Sequence, residues 1–393
     1  MDPERFRGSA AGRLLQIGQG AAAYWAFVPN PLPPPLTLNA DLVRTLSAAD
    51  RALGELAGLG RALPNPHLFI APLVRREAVL SSRIEGTQAD LADLYAYEAG
   101  QPPLPGTHAP PPEADVREVR NYVRALEYGL ERVPTLPVSL RLIRELHERL
   151  MEGVRGEHAT PGDFRRTQNW IGPPGCTLAN ARFVPSPVPE MQDALTALEK
   201  YLHEENEHPP LVRLALIHYQ FEAIHPFIDG NGRIGRLLLA LLLINWDLLP
   251  LPLLYLSAYF ERRRQEYYDL LLAVSERGAW SEWLDFFLRG VAEQSRDTIV
   301  RAKRLQDLQA EWRQRLTHTR ASALPLRLAD SLFESPIITI PQAQRVLDVS
   351  YPAAHHIIEK LVQANILQLR DEAAYSKTYI AEEILRVVSE SQS

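Results

Sequence analysis

Residues 225–236 and the apolar run behind them constrain the fold of this chain more than any other part of its sequence. The eight consecutive apolar residues 237–244 predict a helix buried in the core, because the run is too short to span a bilayer. The twelve residues before it contain one histidine, one aspartate, one asparagine, three glycines and two arginines. This polar segment is therefore expected at or near the N-terminus of a buried helix.

The composition of the polar segment predicts an anion site. The first N–H groups of a helix have no partner within the helix and carry partial positive charge. Gly230 and Gly232 have no Cβ, so an oxyanion could approach those groups closely. Arg233 and Arg236 add two guanidinium groups, three residues apart on one helix face. Together these features predict a site for a polyphosphate.

Three further side chains in the segment suit chemistry beside a phosphate. Asp229 could hold a hard cation, and Asn231 could donate a hydrogen bond to an anion. His225 is the side chain here that can transfer a proton near neutral pH. The alternative is structural, because Asp-Gly-Asn-Gly is a common turn sequence and a lone histidine is usually structural. The complete pattern, directly before a buried helix, favours function.

The segment resembles the catalytic motif of the Fic (Fic/Doc) family, HPFxDGNGRxGR, at every fixed position. In that family the motif transfers AMP from ATP to a hydroxyl side chain of a protein and releases pyrophosphate. The resemblance implies that His225 accepts the proton of a target Ser, Thr or Tyr and that Asp229 holds Mg²⁺. It further implies a nucleotide site, with Asn231 on the α-phosphate, formed by Phe227, Gly230, Asn231, Gly232, Arg233, Gly235 and Arg236. Gly232 indicates the adenylylating branch, since the kinase-like Doc branch has Lys there.

A second segment, 81–87, resembles the inhibitory motif of the same family, [S/T]xxxE[G/N], through Ser81, Glu85 and Gly86. The resemblance implies that Glu85 forms a salt bridge to Arg236 where the γ-phosphate of ATP would lie. A motif upstream of the catalytic domain is typical of class II members, which inhibit themselves in cis. Without the family context, Glu85 would be interpreted as a solvated helix charge. In some relatives the same glutamate supports removal of AMP, and the sequence leaves that activity open.

Helical periodicity predicts a mainly α fold. Leu and Ala recur at helical spacing in 39–60, 115–131, 138–153, 190–204, 210–224, 258–276 and 280–316. The proline-rich stretch 102–112 is interpreted as a stiff linker or surface loop. We expect an N-terminal helical region with the inhibitory motif and linker (1–113), a helical Fic catalytic domain (114–316) and a C-terminal domain (321–393).

The segment 161–189 is predicted to be non-helical, with turn residues between two short extended pieces. It resembles the family's flap, a β-hairpin over the active site. The resemblance implies that a protein substrate docks along 168–185 by backbone pairing, which makes little demand on its sequence. The alternative is an ordinary surface hairpin.

A pair of aromatic residues, Tyr267 and Tyr268, resembles a family element near the nucleotide base. Arg263 stands where that pattern has Asn, so the sequence departs from the family here. Aromatic residues at helical spacing are usually part of a core, which is the alternative interpretation.

The C-terminal segment 321–393 is similar to a winged helix-turn-helix, with a helix expected from about 352 to 364. It carries six Lys or Arg and nine Asp or Glu residues, a net charge of −3. DNA binding requires several cations on phosphates, and they are scarce here. A role in protein interaction or dimer packing is therefore favoured over DNA binding. The adjacent His355 and His356 point to different helix faces, which argues against a metal site made from them alone.

Composition limits the remaining choices. The 393 residues carry a net charge of −6, which provides no general attraction to nucleic acid or to an anionic membrane. The single cysteine, Cys176, fits a reducing compartment, and we expect a cytoplasmic protein. The leading hypothesis is an autoinhibited protein adenylyltransferase that uses ATP and Mg²⁺. Transfer of another nucleotide or phosphate group, de-adenylylation, and a nucleotide-sensing winged-helix regulator are the alternatives. Self-modification and a homodimer stay open.

Overall fold

The structure is a computed structural model that describes residues 1–20, 23–100, 111–154, 160–173, 175–317, 323–371 and 377–390. It is mainly helical, as predicted, with fifteen α-helices in these described ranges. The helices are α1 (Ala40–Ala62), α2 (Pro66–Ile84), α3 (Leu91–Glu98), α4 (Glu113–Arg132), α5 (Leu140–Leu150), α6 (Val188–His203), α7 (Pro210–Ile224), α8 (Asn231–Asn245), α9 (Ser257–Arg262), α10 (Arg264–Arg277), α11 (Trp280–Thr317), α12 (Ala323–Ser331), α13 (Ile340–Leu347), α14 (Tyr351–Gln363) and α15 (Glu382–Ser389).

Two small antiparallel sheets accompany the helices. The first pairs β1 (Gly12–Ile17) with β2 (Tyr24–Pro29). The second has the order β3–β5–β4, in which β3 is Ile337–Thr339, β4 is Gln368–Asp371 and β5 is Thr378–Ile380.

The chain forms two compact units, each assembled from separate stretches of sequence. The first contains residues 1–55 and 121–295, and the second contains residues 56–120 and 296–393. The boundaries fall inside the helices α1, α4 and α11. Of the linker predicted at 102–112, only residues 111 and 112 are among those described. The predicted division into three domains stays a prediction.

The core of the first unit is built around α7 and α8. Both helices are apolar on nearly all sides, which is typical of a helix buried on every face. The predicted buried run therefore lies in α8, where residues 237–243 are all buried. The fully buried indole of Trp283 on α11 donates from Nε1 to the carbonyl of Ala215 on α7, 2.9 Å away. This bond joins α11 to α7, the helix that leads into the polar segment.

The strand pair β1–β2 was not predicted from the sequence. Its register runs from Gly12 opposite Pro29 to Ile17 opposite Tyr24. Phe27 of β2 is fully buried, and its ring centroid lies 5.7 Å from that of Phe183. The sheet is thus tied to the non-helical segment that precedes α6.

The predicted helices are found with small differences in their ends. The range 258–276, predicted as one helix, consists of α9 and α10. The break lies at Arg263, whose backbone angles (φ −118°, ψ 36°) leave the helical region. The guanidinium of Arg263 lies 4.2 Å from the ring centroid of Tyr259 and 3.3 Å from Glu293, so its side chain holds the break in place.

The second unit joins α2 and α3 to the C-terminal elements. Phe69 of α2 packs edge-on against Phe333, with 6.4 Å between ring centroids. Trp312 of α11 also packs against Phe333, with 5.2 Å between ring centroids, and donates from Nε1 to Glu383 of α15. The helix α15 also packs against α2 and α3. Among the described residues, no helix is long and apolar enough to cross a membrane.

Candidate active site

The polar segment forms a tight loop between α7 and α8. His225 caps the C-terminus of α7 in the left-handed region (φ 49°, ψ 61°), and its N–H donates to Phe221 O at 3.0 Å. Left-handed backbone is uncommon for a residue with a Cβ and costs on the order of 1–3 kcal/mol. The surrounding structure must therefore compensate for this conformation.

The imidazole of His225 is half-buried, and one ring nitrogen has a defined partner. Its Nδ1 lies 3.3 Å from the carbonyl oxygen of Glu222, which can only accept. Nδ1 therefore carries the proton in the neutral ring, and Nε2 is the basic nitrogen. A general base needs an unprotonated nitrogen, and this tautomer provides one at Nε2.

The loop is closed by the side chain of Asn231. Its Oδ1 accepts from the N–H of Phe227 at 2.9 Å, and its Nδ2 donates to the carbonyl of the same residue at 2.9 Å. Asn231 is buried. The structure thus uses this amide to shape the loop, while its predicted contact with a phosphate stays a prediction.

Gly230 caps the N-terminus of α8 in a left-handed conformation (φ 79°). A Cβ at this position would lie 3.1 Å from Met151 Sδ and 3.5 Å from His147 Cδ2. The glycine is therefore required both by its backbone angle and by the close approach of α5. The helix begins directly at the polar loop, as the sequence predicted.

Both arginines of the segment are nearly fully buried on α8, each with a relative exposure of 3%. Arg233 Nη2 lies 3.6 Å from Asp229 Oδ1 and 3.9 Å from Met151 Sδ. Asp229 itself is half-exposed, and its Oδ1 accepts from the N–H of Gly230 at 2.6 Å. Two buried guanidinium groups on the helix that begins at this loop are suitable donors for an anion.

Gly235 has a packing function in the structure. A Cβ there would lie 2.4 Å from Glu222 Oε1 and 3.3 Å from the ring of Phe221, both on α7. The absence of a side chain therefore allows α7 and α8 to approach closely. Gly232, the second residue of α8, is half-buried near the helix start.

His147 of α5 contacts the loop through Phe227 and Asp229, and the sequence analysis missed it. Its ring stacks on that of Phe227, with 3.7 Å between centroids and 5° between planes. Its Nδ1 accepts from the N–H of Gly162 at 2.9 Å, so Nε2 donates to the carbonyl of Asp229 at 3.1 Å. Burial lowers the pKa of His147 to about 4 and keeps the ring neutral.

A signal for His147 was present in the sequence. It occupies the apolar face of α5, together with the buried residues Leu142, Ile143, Leu146 and Leu150. A histidine on such a face must find polar partners in the folded protein.

Arg165 and Asn169 donate hydrogen bonds to the backbone of the loop, and the sequence analysis missed both residues. Arg165 is 2% exposed; its backbone N–H donates to Pro226 O at 2.9 Å and its Nε donates to His225 O at 3.0 Å. Asn169 Nδ2 donates to Phe227 O at 2.8 Å and to His225 O at 3.3 Å. Burial lowers the pKa of Arg165 to about 10.

Among the described residues of the predicted flap, the strand pairing is one isolated antiparallel bridge between Ile171 and Phe183. The return arm finds another partner, because Phe27 of β2 donates from its N–H to Val184 O at 2.8 Å. Trp170 and Ile171 are exposed at the tip side. The segment nevertheless begins and ends beside the loop, as the contacts of Arg165 show.

The two tyrosines singled out from the sequence have different environments. Tyr267 is 1% exposed, stacks on Phe260 at 4.5 Å and bonds through its hydroxyl to His218 Nε2 at 2.8 Å. It belongs to the aromatic core of the first unit, which was the alternative interpretation. Tyr268 remains half-buried beside it.

The second predicted motif lies at the end of α2, in the second unit. Ser81 is fully buried in the helix, and Glu85 is the exposed C-cap residue that follows Ile84. Gly86 adopts φ 101°, which a glycine tolerates and which ends the helix. The motif therefore forms a helix C-terminus.

The residues around Asp229 fit a magnesium ion that arrives with a nucleotide. The described ranges contain no group of three or more His, Cys, Asp or Glu side chains that could hold a metal by themselves. Mg²⁺ is commonly held by one or two carboxylates together with substrate phosphates. A half-exposed carboxylate beside a helix N-terminus and two arginines matches that donor set.

Fold and site together define a helical protein with a candidate general base and a candidate anion site at a helix N-terminus. Comparisons with known proteins identify the family of its domains. Residues 43–131 match the Fic/DOC family N-terminal model, and residues 137–243 match the Fic/DOC family model. The chain therefore contains both of these Fic/DOC family domains. The motif at the end of α2 lies in the first match, and the loop 225–236 lies in the second.

Curated relatives and a solved structure carry the same family name. The protein adenylyltransferase Fic of Drosophila grimshawi is 33% identical over 146 residues, 37% of this chain and 27% of the relative. That of Drosophila willistoni is 28% identical over 248 residues, 61% of this chain and 45% of the relative. The chain thus spans less than half the length of these relatives. A Fic family protein from Desulfovibrio desulfuricans G20 has a similar fold, with a TM-score of 0.56, 20% identity and coverage of 92% of this chain and 100% of that one.

Proposed function

We propose that this chain is an autoinhibited protein adenylyltransferase that transfers AMP from ATP to a Ser, Thr or Tyr hydroxyl of a protein. The observation that carries the proposal is the placement of His225. Its basic Nε2 belongs to a loop that leads directly into a helix N-terminus flanked by two buried arginines. A base next to a polyphosphate site is what nucleotidyl transfer requires. The names of the curated relatives support this assignment.

The proposed reaction is an in-line displacement at the α-phosphorus of ATP. His225 Nε2 takes the proton of the target hydroxyl as its oxygen forms a bond to phosphorus. The bond from phosphorus to the bridging oxygen breaks, and pyrophosphate leaves with the electron pair. Because no covalent enzyme intermediate is needed, catalysis depends on positioning and charge neutralisation.

The remaining residues of the loop are assigned to nucleotide and metal. Gly230 and Gly232 give the phosphates access to the N–H groups at the start of α8. Arg233 and Arg236 neutralise the outer phosphates. Asp229 would hold Mg²⁺, which neutralises charge on the phosphates when it is bound.

The inhibitory part of the proposal concerns Glu85. A carboxylate that binds Arg236 would occupy the place of the γ-phosphate, so ATP would not bind productively. The position of the motif within the range that matches the family N-terminal model supports this role. The protein substrate is proposed to dock along residues 168–185, where Trp170 and Ile171 are exposed.

The C-terminal elements are proposed to form a winged-helix domain. The order α12–β3–α13–α14–β4–β5, with β5 between β3 and β4, supports it. On α14, the helix that would read DNA, His355 lies 3.7 Å from Glu359, and Lys360 is the one Lys or Arg. The scarcity of cations favours contact with protein over contact with DNA.

The proposal is tested by incubation with α-labelled ATP and Mg²⁺. We expect little label on wild type, strong label on Glu85→Gly, and none on Glu85→Gly/His225→Ala. The rise for Glu85→Gly should be at least about fivefold, the lower end of typical coupling between sites. Label is measured on the protein itself and on added cell lysate.

The outcomes separate the parts of the proposal. An unchanged rate in Glu85→Gly would contradict autoinhibition, while label that survives His225→Ala would contradict the assigned base. If no variant takes label from ATP, other nucleotide donors and adenylylated proteins are supplied as substrates, and turnover of one of them would identify a different transfer at the same site.

A further inference from the structure

The carbonyl group of His225 is the point at which three segments of the first unit meet. His225 is the C-cap residue of α7, so its carbonyl has no donor within that helix. It accepts instead from Arg165 Nε at 3.0 Å and from Asn169 Nδ2 at 3.3 Å. The unfavourable backbone conformation is therefore stabilised from outside the loop.

Arg165 makes contacts on both sides of the proposed docking segment. Its Nη1 donates to Thr167 O at 3.2 Å, at the start of that segment, and its Nη2 donates to Ser186 O, at its end. Gln168 adds a second contact between the two ends of the docking segment, because its Nε2 donates to Pro185 O at 2.9 Å. One guanidinium thus joins the two ends of the flap to the carbonyl of His225.

Among the described residues, Arg165 forms no ion pair with a carboxylate. Within the part of the chain that the structure describes, its hydrogen-bond partners are all carbonyl oxygens, although the residue is 2% exposed. Burying a guanidinium in this way is costly. A lysine has three donors on a single atom and does not reproduce a planar fork that reaches three separate carbonyls.

We propose that Arg165 is a positioning residue that fixes the imidazole of His225 relative to the flap. It acts through the backbone and does not contact the reacting atoms. The inference rests on the proposed function, because it concerns the alignment of the base with a hydroxyl held by residues 168–185. An error of about 1 Å in such an alignment can lower the rate about a hundredfold.

The test compares Arg165→Met, Arg165→Lys and the matched control Arg166→Met, all in the Glu85→Gly background. Arg166 is the neighbouring residue, and its side chain is 85% exposed. We expect Arg165→Met to lower kcat for AMP transfer about a hundredfold, while KM for ATP changes less than about threefold. Arg165→Lys should recover about tenfold of that loss, and Arg166→Met should change neither constant.

A spectroscopic measurement covers the case in which Arg165→Met folds poorly. The Hε1–Cε1 NMR signal of His225 should shift in Arg165→Lys and in Asn169→Ser, which both weaken the support of its carbonyl, and not in Arg166→Met. A rise in KM for ATP at constant kcat, or an unshifted signal with normal kcat in Arg165→Lys, would overturn the inference. Absence of transfer in Glu85→Gly itself would instead count against the proposed function.

A separate observation concerns the helix that carries Glu85. Within the second unit, α2 is held by C-terminal elements: Phe69 packs on Phe333, Arg76 lies 3.6 Å from Asp297 of α11, and α15 packs alongside. Gln342 of α13 also donates to Ala99 O, just after α3, at 3.2 Å. The proposed inhibitory motif and the C-terminal elements therefore belong to one compact unit.

We infer that the C-terminal segment 296–390 sets the position of α2 and so controls inhibition by Glu85. The inference rests on the proposed autoinhibition. A partner protein that binds the C-terminal elements and loosens the contact between Phe69 and Phe333 would raise AMP transfer. This gives the C-terminal elements a regulatory role that does not require DNA.

The test uses Phe333→Leu and Phe69→Leu, with Tyr351→Leu as the matched control, since Tyr351 is 51% exposed on the same segment. We expect the first two to raise label transfer about fivefold and to speed hydrogen exchange at the amides of residues 85–87. Those amides bond back to carbonyls of α2 at 3.0–3.2 Å. Combined with Glu85→Gly, the same substitutions should add nothing, because both act on one element.

Equal increases in the wild-type and Glu85→Gly backgrounds would overturn the inference. So would an unchanged rate in Phe333→Leu when Glu85→Gly alone shows a rise. If Glu85→Gly shows no rise, the proposed autoinhibition fails, and the control by the C-terminal segment fails with it.

Discussion

Each compact unit contains an Asp–Arg pair with a spacing of four residues, and the two pairs are built differently. In the first unit, Arg233 Nη2 lies 3.6 Å from Asp229 Oδ1, and the aspartate side chain is 50% exposed. In the second unit, Arg301 binds Asp297 with two short contacts, 2.7 Å from Nε and 3.0 Å from Nη2. The side chain of Asp297 is 13% exposed.

The surroundings of the two arginines increase the difference. Arg301 also donates to three carbonyls at the end of α15, those of Val387 at 2.6 Å, Val388 at 3.0 Å and Glu390 at 2.6 Å. Its charge is neutralised, and its donors are used to fix the C-terminal helix on α11. Arg233 is equally buried, and its contacts with Asp229 and Met151 are long.

The comparison shows that the same sequence spacing can build two kinds of contact. A buried pair with short contacts stabilises a structure, since removing one member leaves a buried charge. The longer pair, with its half-exposed carboxylate, lies next to a helix N-terminus, where the proposed metal and phosphates would bind.

The largest effect expected from the difference between the two Asp–Arg pairs is the loss of AMP transfer in Asp229→Asn. The amide has the same shape and no charge, so it should hold Mg²⁺ poorly. In the Glu85→Gly background we expect AMP transfer to fall about a thousandfold. The midpoint of thermal unfolding should move by less than about 2 °C, because the pair contributes little to stability.

The matched control for this prediction is Asp193→Asn, an exposed aspartate on α6. It should leave transfer and thermal unfolding unchanged. If Asp229→Asn kept normal transfer and lost stability, the two pairs would be alike and the comparison would be wrong.

The pair of the second unit should respond in the opposite way. Arg301→Met leaves Asp297 without its main partner and the carbonyls of α15 without donors, so we expect a loss of about 3 kcal/mol in the free energy of unfolding. Denaturant titration measures it. In the Glu85→Gly background, transfer by the folded protein should stay within about twofold of its starting value.

Arg304→Met provides the comparison for that experiment. Arg304 lies on the same helix and is 42% exposed, with one contact of 3.4 Å to Glu390. Its substitution should cost less than about 1 kcal/mol. A similar loss for both variants would show that burial of Arg301 does not determine its contribution.

The parts of the site that were predicted from the sequence are those with local causes. A run of apolar residues after a glycine-rich segment places α8 and its N-terminus, because helix periodicity and capping depend on neighbours in the chain. Most helix positions followed from periodicity for the same reason.

The parts that were missed depend on contacts between distant residues. His147 lies 82 positions before Asp229, and Arg165 lies 60 before His225. Nothing in the spacing of either residue indicates that its side chain reaches the loop. The strands β1 and β2 were also missed, although they pair locally from Ile17 opposite Tyr24 outward; the bond from the Phe27 N–H to Val184 O joins them to a distant segment.

The side-chain role of Asn231 also required the structure. Both of its polar atoms bond to the backbone of Phe227, and its predicted contact with a phosphate stays a prediction. A sequence gives the donors and acceptors of a residue but not which of its neighbours come within 3 Å.

The smallest expected effect is on the pH dependence of stability, and it comes from His218 in the core of the first unit. Burial, followed by the positive charge of Arg236, lowers the pKa of His218 to about 3. In the unfolded chain a histidine takes up a proton below about pH 6.5. The folded protein does not take it up there, so stability is present above pH 6.5 and is lost as the pH falls toward 3. Between pH 7.5 and pH 5 the loss should be about 2 kcal/mol.

The substitution His218→Gln isolates this contribution, because glutamine does not titrate and can still bond to the hydroxyl of Tyr267. The variant should be less stable than wild type at pH 7.5, since the histidine stacks among aromatic rings. Its thermal midpoint should nevertheless fall less between pH 7.5 and pH 5. His203→Gln, at an exposed position at the end of α6, should keep the wild-type slope. Parallel curves for wild type and His218→Gln would mean that His218 takes up its proton in the folded state, and that acid acts on the first unit through other groups.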